Sequence, residues 1–303
     1  MKRVFTLAGL ILTGTLSAQD STERKPVEIF SSEKAINANT PETVGKGKMA
    51  FKVSHNFGDI AGKSGGLKQF FGLDNSTDIR IAFVVGLGQR FDVIAARAKG
   101  AGQQQRLWEM GLKYKFMEQR ENDPSHPLSV ALFANMAIAS NKASALSNLD
   151  HSFRGFSDRV SNVLQLIIAR KMGKVSLQLN PTFVTRSYSI SYDQKSFFAM
   201  GGAIRLPLVQ NRLNLLVDYF HPFRKEAVED SFQIINNIKF YDPLGIGFEV
   251  LTSGHVFRLN FANTTEILEN RFIPRTVSSW GKGQFRWCFT ISRNFSLWRG
   301  KSQ

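Results

Sequence analysis

Cysteine is almost missing from this sequence of 303 residues, in which Cys288 is the only one. A single thiol excludes disulfides, cysteine-based zinc clusters and c-type haem attachment within one chain. Long apolar runs are missing too, because the longest, residues 4–16, is too short to cross a bilayer as a helix. Proline is scarce at nine residues, whereas Phe (26) and Gly (24) are abundant. The composition therefore favours strands and tight turns over a bundle of membrane helices.

Acidic residues are the minority charge, with 24 Asp and Glu against 39 Lys and Arg and a formal net charge of +15. Such an excess suits nucleic acid, anionic lipid or lipopolysaccharide. No basic run is interleaved with aromatic residues, which argues against nucleic acid as a partner. We expect outer-membrane lipid and lipopolysaccharide instead.

The first 18 residues predict export. The first three residues form a charged start, residues 4–16 form an apolar core, and Ala18 follows Ser17 at a small-residue cleavage site. No cysteine follows, which argues against a lipoprotein anchor. We therefore expect residues 1–18 to be a signal peptide.

The clearest pattern lies near the end, in residues 284–297 (QFRWCFTISRNFSL). Large apolar side chains occupy nearly all the odd positions, and polar or small ones occupy the even positions. This is the two-residue period of a strand with different surroundings on its two faces.

The same period recurs along the chain and predicts about twelve strands. They lie near 49–57, 79–87, 91–95, 108–116, 128–138, 164–168, 175–183, 198–206, 213–219, 244–250, 257–261 and 284–297. The sixth is ambiguous, because apolar residues in 157–171 also fit helical spacing.

The connections alternate between long and short, with only residues 117–127 blurring the scheme. This alternation is typical of an up-and-down barrel with long external loops and tight periplasmic turns. We predict a single antiparallel transmembrane β-barrel over residues 46–298, with both termini periplasmic and a C-terminal tail at 299–303. Residues 19–45 form a polar periplasmic segment, for which we favour a tail over a small plug.

The row opposite the apolar one is rich in small and charged side chains, as the interior of a membrane barrel requires. Three arginines fall on the apolar row, Arg97, Arg170 and Arg293, each near a strand end where it can reach the headgroups. The predicted lumen-facing charges are the basic residues Lys52, Arg80, Lys113, Lys115, Arg205, Arg212, Arg258 and Arg286 and the acidic residues Asp78, Glu109, Asp218 and Glu249.

These charges leave two interpretations open. An open lumen with this basic excess would be a narrow channel or transport component for small anionic solutes. Charges that pair with one another would instead fill the lumen of a structural or interaction barrel. The number of strands does not decide between them.

An outer-membrane hydrolase is the third interpretation. Its candidate groups lie in predicted external loops: Asp150, His151 and Ser152 with Asp158, and His221 with Glu229 and Asp230. Polar loop residues are common in any barrel, so we expect no enzyme. We expect no catalytic, cofactor-binding or metal site.

Several segments carry a family resemblance: NTPETVGKGKMAFKVSHNFGDI (39–60), FFGLD (70–74), STDIRIAF (76–83), DYFHPF (218–223), GHVFRLNFANT (254–264) and ISRNFSL (291–297). The sequence resembles a Bacteroidota family of β-barrels catalogued as domain of unknown function 5777. The resemblance implies an outer-membrane barrel of uncharacterised activity, inserted by the barrel-assembly machinery, and it supplies no catalytic residues. Six residues follow Leu297, whereas such barrels often end with their last strand.

Overall fold

Twelve antiparallel strands close into one barrel, each paired with its neighbours in the sequence and the last paired with the first. The structure, a computed structural model, describes residues 24–210 and 212–298. The predicted signal peptide (1–18) and C-terminal tail (299–303) lie outside the described residues. The strands are β1 Lys48–Asp59, β2 Ser76–Gly86, β3 Phe91–Ala98, β4 Leu107–Met117, β5 Ser129–Ala139, β6 Val160–Met172, β7 Val175–Arg186, β8 Ser196–Val209, β9 Leu213–Pro222, β10 Leu244–Leu251, β11 His255–Ala262 and β12 Arg286–Ser296.

Burial alternates along the strands as the sequence period predicts. In β4, Glu109, Lys113 and Lys115 point into the lumen and are buried, while Trp108 and Met110 point outward and are exposed. An apolar outer band around a polar interior is the reverse of a soluble barrel, and it suits a surface in contact with lipid. The predicted fold class, an up-and-down antiparallel β-barrel of twelve strands, is confirmed.

The two ends of the barrel differ in their connections. At one end, which we call the short-turn end, the strands are joined by residues 87–90, 173–174 and 252–254 and by the short connection between β8 and β9. The other end, the long-loop end, carries longer segments that include 140–159, 223–243 and 263–285.

The connection 118–128 is longer than the other turns at the short-turn end, and it pairs with the N-terminal segment. The Val27 N–H donates to the Gln119 carbonyl oxygen at 2.8 Å, and the Glu121 N–H donates to that of Lys25 at 3.0 Å.

The ambiguous sixth segment is a strand. One turn of 3-10 helix, Ser157–Arg159, precedes β6, which pairs with β5 and β7. Gly173 has φ +58° in the two-residue turn to β7, a conformation that favours glycine. The helical alternative for residues 157–171 is wrong, because the strand period keeps one face in the lumen and the other in lipid.

Helices occur only in the connections of the described chain. The helix α1 (Glu226–Asn236) lies between β9 and β10, and α2 (Glu269–Phe272) lies between β11 and β12. No helix among the described residues is long and apolar enough to cross a membrane.

The three outward arginines lie close to strand ends. Arg97 is the residue before the last of β3, and its guanidinium lies 4.5 Å from the centre of the Trp108 ring. Arg293 lies three positions before the end of β12 and 5.2 Å from the ring of Phe295. Arg170 lies two positions before the end of β6. Such positions let the charged group reach the interface.

Candidate functional site in the barrel lumen

The N-terminal segment lies inside the barrel. Residues 26–45, here called the plug, enter at the short-turn end and contain a tight hairpin over residues 33–40. In this hairpin the Ala35 N–H donates to the Ala38 carbonyl oxygen at 2.8 Å. Ile29 and Ala38 are fully buried. The expectation of a periplasmic tail is therefore wrong for these residues, because lumen side chains supply partners for their backbone polar groups.

A wall carboxylate holds the tip of the hairpin. One oxygen of Asp218, on β9, accepts hydrogen bonds from the backbone N–H groups of Asn37 and Ala38, the latter at 2.8 Å. The side-chain amide of Asn37 donates to the other oxygen at 3.2 Å. Asp92, on β3, accepts from the Val44 N–H at 3.1 Å. Acidic wall side chains thus bind the backbone donors of the plug.

Basic wall side chains bind the acceptors of the plug. The Lys113 ammonium donates to three backbone carbonyl oxygens, those of Glu33 at 2.7 Å, Thr40 at 3.0 Å and Glu42 at 3.2 Å. Arg205, on β8, donates to the Ile29 carbonyl oxygen at 3.2 Å. These hydrogen bonds from cations are stronger than neutral ones, particularly where water is excluded.

Two plug carboxylates pair with wall lysines. Glu33 lies 2.7 Å from the Lys52 ammonium, and Glu42 lies 3.4 Å from that of Lys115. Lys115 has a second partner, Glu118 of the connection 118–128, at 2.8 Å. The remaining oxygen of Glu42 accepts from the Ile29 N–H at 3.0 Å, which fixes the fold of the plug itself.

A second segment enters from the long-loop end. Residues 263–279, here called the inward loop, fold into the lumen with Glu269, Asn270 and Phe272 buried. The Ile267 N–H donates to Asp78 at 2.9 Å, and the Phe272 ring lies 5.4 Å from that of Phe220. The alternation of connections predicts an external loop here, and the structure buries the segment in the lumen instead.

The plug and the inward loop meet inside the barrel. Lys34 of the plug lies 2.7 Å from Glu269 of the inward loop. The Asn39 amide donates to the same carboxylate at 2.9 Å, and Asn135 of the wall donates to its other oxygen at 3.4 Å. The two segments therefore share one buried carboxylate.

Other wall charges pair within the barrel. Arg80 pairs with Glu109 at 2.7 Å, and Arg258 pairs with Glu249 at 2.8 Å. Arg286 pairs with Asp59 at the end of β1.

Of the twelve predicted lumen charges, eleven are buried inside: Lys52, Arg80, Lys113, Lys115, Arg205, Arg258, Arg286, Asp78, Glu109, Asp218 and Glu249. Arg212 is the exception, and its prediction is wrong. It lies exposed in the turn before β9, because β8 extends to Val209 and leaves it outside the strands.

Little free space remains between these segments. A cavity of about 20 Å³ lies between Lys34, Lys52, Arg80 and Arg258, with Cys288 on its wall. That volume suits about one water molecule. A larger cleft of about 320 Å³ lies between the plug and the β10–β11 turn at the short-turn end. The lumen is therefore occupied by chain rather than open.

Three of the loop residues considered for hydrolysis have partners other than one another. Asp150 pairs with Arg275, and His221 lies 2.9 Å from Asp242 rather than beside Glu229 and Asp230. Arg154 donates to Asp158 at 3.1 Å, and this hydrogen bond lowers the pKa of the Asp158 carboxyl. Among the described residues, no three His, Cys, Asp or Glu side chains are grouped to hold a metal ion.

A closed barrel with an apolar outer band and a polar, occupied lumen defines a membrane β-barrel with an internal plug. The chain belongs to the family of the membrane bound beta barrel domain, domain of unknown function 5777, whose model matches residues 30–295. The match includes most of the plug and all of the inward loop. A search of curated proteins found no match.

Among solved structures, the chain is similar to the NanC porin, with 7% identity, a TM-score of 0.46 and coverage of 82% of this chain and 100% of that one. It is also similar to an outer-membrane channel of Pseudomonas putida F1, with 10% identity, a TM-score of 0.43 and coverage of 84% and 98%. A third similar structure is the outer-membrane phospholipase A of Escherichia coli, with 9% identity, a TM-score of 0.40 and coverage of 88% and 100%. At these values the likeness carries no argument about activity or solute.

Proposed function

We propose that the protein is a gated channel for small anionic solutes in the outer membrane of a member of the Bacteroidota, closed in this structure by the plug and the inward loop. In this proposal the short-turn end faces the periplasm, so the plug enters from there. Lipopolysaccharide and the barrel-assembly machinery remain predicted partners of the outer surface and of the last strand.

One observation carries the proposal: separate segments fill the lumen, whereas the wall itself has many small side chains. Ala50, Ala131, Ala169 and Ala203 line it where the buried core of the plug packs. A barrel that only needed a solid interior could fill it with large wall side chains. A wall of small residues around a segment that can move out of the lumen leaves room for a solute to pass when that segment moves.

The charge of the wall supports anionic solutes. Lys52, Lys113 and Arg205 bind groups of the plug, while Arg80 and Arg258 have acidic partners in the wall. Withdrawal of the plug would therefore leave cations facing the lumen. Cationic linings favour anions in pores.

Conductance in planar bilayers tests the proposal. The mature chain should conduct little, and a variant that lacks residues 24–45 should give larger, steadier currents with anion selectivity. Heat-modifiable migration on gels checks that both proteins fold as barrels. A folded deletion variant without conductance would contradict the proposal.

The second candidate is a structural or interaction barrel with a permanently filled lumen. The small size of the residual cavity, about 20 Å³, favours it. It predicts that the deletion variant either fails to fold or refills its lumen and stays silent in the bilayer.

A further inference from the structure

The plug presents two carboxylates to one region of the wall. Glu33 and Glu42 are nine residues apart, but the hairpin between them brings both backbones to the same ammonium group. Lys113 donates to the carbonyl oxygens of both, at 2.7 and 3.2 Å. Their carboxylates then extend to two further lysines, Lys52 at 2.7 Å and Lys115 at 3.4 Å. The three lysines thus form one site, here called the lysine site, that holds two carboxylates and several carbonyl oxygens.

The lysine site is built for an occupant. All three lysines are buried, with 1–5% of their surface exposed. A buried ammonium group without a partner is strongly unfavourable, so the site requires an anion or water whenever the plug leaves. Asp92 lies opposite Lys113 in the strand register and Glu118 stays beside Lys115, but Lys52 has only Glu33 within ion-pair distance among the described residues.

A cleft at the short-turn end borders the two plug carboxylates that pair with the lysine site. The cleft of about 320 Å³ is lined by Glu33 and Glu42 on one side and by the turn 252–254 on the other. Both acidic residues that engage the lysines therefore border space wide enough for a small solute. A solute in the cleft would lie next to the ion pairs that it has to exchange.

We propose that the plug is an internal substitute ligand, and that the lysine site binds solutes carrying two or more carboxylates, which displace Glu33 and Glu42 and release the plug. This inference rests on the proposed channel function and adds its solute class and its opening signal. The exchange replaces ion pairs by ion pairs, so the lysines keep anionic partners throughout. One monocarboxylate ion replaces one of the two pairs and leaves the other holding the plug, so two such ions must bind at once, whereas in a polycarboxylate the second carboxylate is already tethered to the first.

Citrate and acetate distinguish this mechanism from a general salt effect. In planar bilayers with the full mature chain, citrate should raise the open probability, and acetate at the same ionic strength should leave it nearly unchanged. Equal responses to the two anions would overturn the inference, because screening of ion pairs by salt does not depend on the number of carboxylates.

Two substitutions separate competition from mere loosening of the plug. Glu33→Gln weakens the plug but leaves the lysine site intact, so half-maximal opening should need about tenfold less citrate, which corresponds to ~1.4 kcal/mol. Lys52→Gln removes the same ion pair from the wall side, so the basal current should rise while the response to citrate falls. If both variants respond to citrate alike, the lysine site does not bind it.

Asp158→Asn is the control, because Asp158 pairs with Arg154 in the connection 140–159 at the long-loop end, away from the lysine site. Its citrate response should stay within about twofold of that of the unmodified chain, as for other peripheral ion pairs. A citrate-insensitive full chain whose deletion variant still conducts would overturn this inference alone. A silent deletion variant would overturn the channel as well.

Discussion

At the scale of single residues, the plug depends on space as well as on charge. Gly245 of β10 lies beside the tip of the hairpin, and a Cβ atom at this position would lie 2.7 Å from Asp218 Oδ1 and 3.0 Å from Ile36 Cγ2. The absence of a side chain therefore allows the plug to approach the wall. The single cysteine reports on this region, because Cys288 is buried beside the small cavity that the plug also lines.

Gly245→Ala should move the plug and expose Cys288. Overpacking of this kind costs about 1–3 kcal/mol, so modification of Cys288 by a maleimide should become roughly tenfold faster. Gly111→Ala is the matched control: it also faces the lumen, but its Cβ atom would contact only wall atoms, at 3.3 Å or more. An equal rate increase in both variants would mean that Cys288 reports on general loosening of the barrel.

Asp218→Asn should loosen the hairpin tip. The carboxylate accepts two backbone N–H bonds, and an amide keeps its shape but has only one accepting oxygen without a charge. Loss of bonds to a charged group costs about 1.5–3 kcal/mol, so hydrogen exchange at Asn37 and Ala38 should accelerate by roughly tenfold or more. Asp78→Asn should instead accelerate exchange at Ile267, which it binds in the inward loop. Acceleration of the same amides by both variants would contradict separate roles.

At the scale of elements, the plug and the inward loop act as two closures that touch. Glu269 of α2 accepts from Lys34 and Asn39 of the plug and from Asn135 of the wall. In contrast, Arg271 and Glu266 pair at 2.9 Å within the inward loop itself. Glu269 therefore joins the two segments, whereas the Arg271–Glu266 ion pair stabilises only the inward loop.

Glu269→Gln should loosen both segments. Breaking a buried ion pair by removing one partner costs about 3–5 kcal/mol, so hydrogen exchange should accelerate in residues 33–40 as well as in residues 265–273. Glu266→Gln should accelerate exchange only in the inward loop, because its partner Arg271 does not contact the plug by hydrogen bond or ion pair in the described chain. If Glu269→Gln leaves the plug unchanged, the two closures are independent.

The elements differ in how far the sequence predicted them. The strands were predictable because lipid and lumen impose opposite demands at every second residue, as the strict alternation in β4 shows. The plug was not, because its partners lie far away in the chain: Asn37 and Asp218, which it contacts, are 181 positions apart. The apolar residues of the plug, such as Ile29, Phe30 and Ile36, are too few and too irregularly spaced to show a period. The inward loop was missed for the same reason, although Ile267, Leu268 and Phe272 are unusual in an external loop.

Among the candidate site residues, the face of the barrel on which each side chain lies was predictable, but its interaction partner was not. Strand parity places Lys52 and Asp218 in the lumen, but it does not state that their partners come from the plug. Arg212 was placed wrongly because a turn boundary, unlike a strand face, has no strong period.

At the scale of the whole molecule, the barrel has an apolar band between two interfaces. Trp108 and Tyr219 are exposed near the long-loop end, and Tyr114 and Trp298 are exposed near the short-turn end. Aromatic side chains at both rims are typical of membrane interfaces. The distance of a residue from the middle of this band predicts how strongly a charged side chain at that position destabilises the barrel.

Phe248→Arg should destabilise the barrel strongly, because Phe248 points outward near the middle of β10. An arginine at the bilayer midplane costs about 2–4 kcal/mol, and one near the interface costs about 0–1 kcal/mol. Arg293→Leu, near the end of β12, should therefore change the free energy of unfolding by less than about 1 kcal/mol. Denaturant titration of the folded protein in liposomes measures both. Equal effects would place Arg293 deeper in the bilayer than its position in β12 indicates.

In the proposed channel, the bridge between the N-terminal segment and the connection 118–128 has a consequence for how the lumen closes again. The plug is held at one end by the Val27–Gln119 hydrogen bond and at the other by the Gly47 N–H, which donates to the Gly86 carbonyl oxygen at 2.9 Å. An occupant tethered so closely has an effective concentration in the millimolar range. A free solute whose intrinsic affinity for the site equals that of the plug must approach that concentration before it holds the site as often as the plug does. The barrel would therefore stay shut against trace anions and respond only to abundant ones.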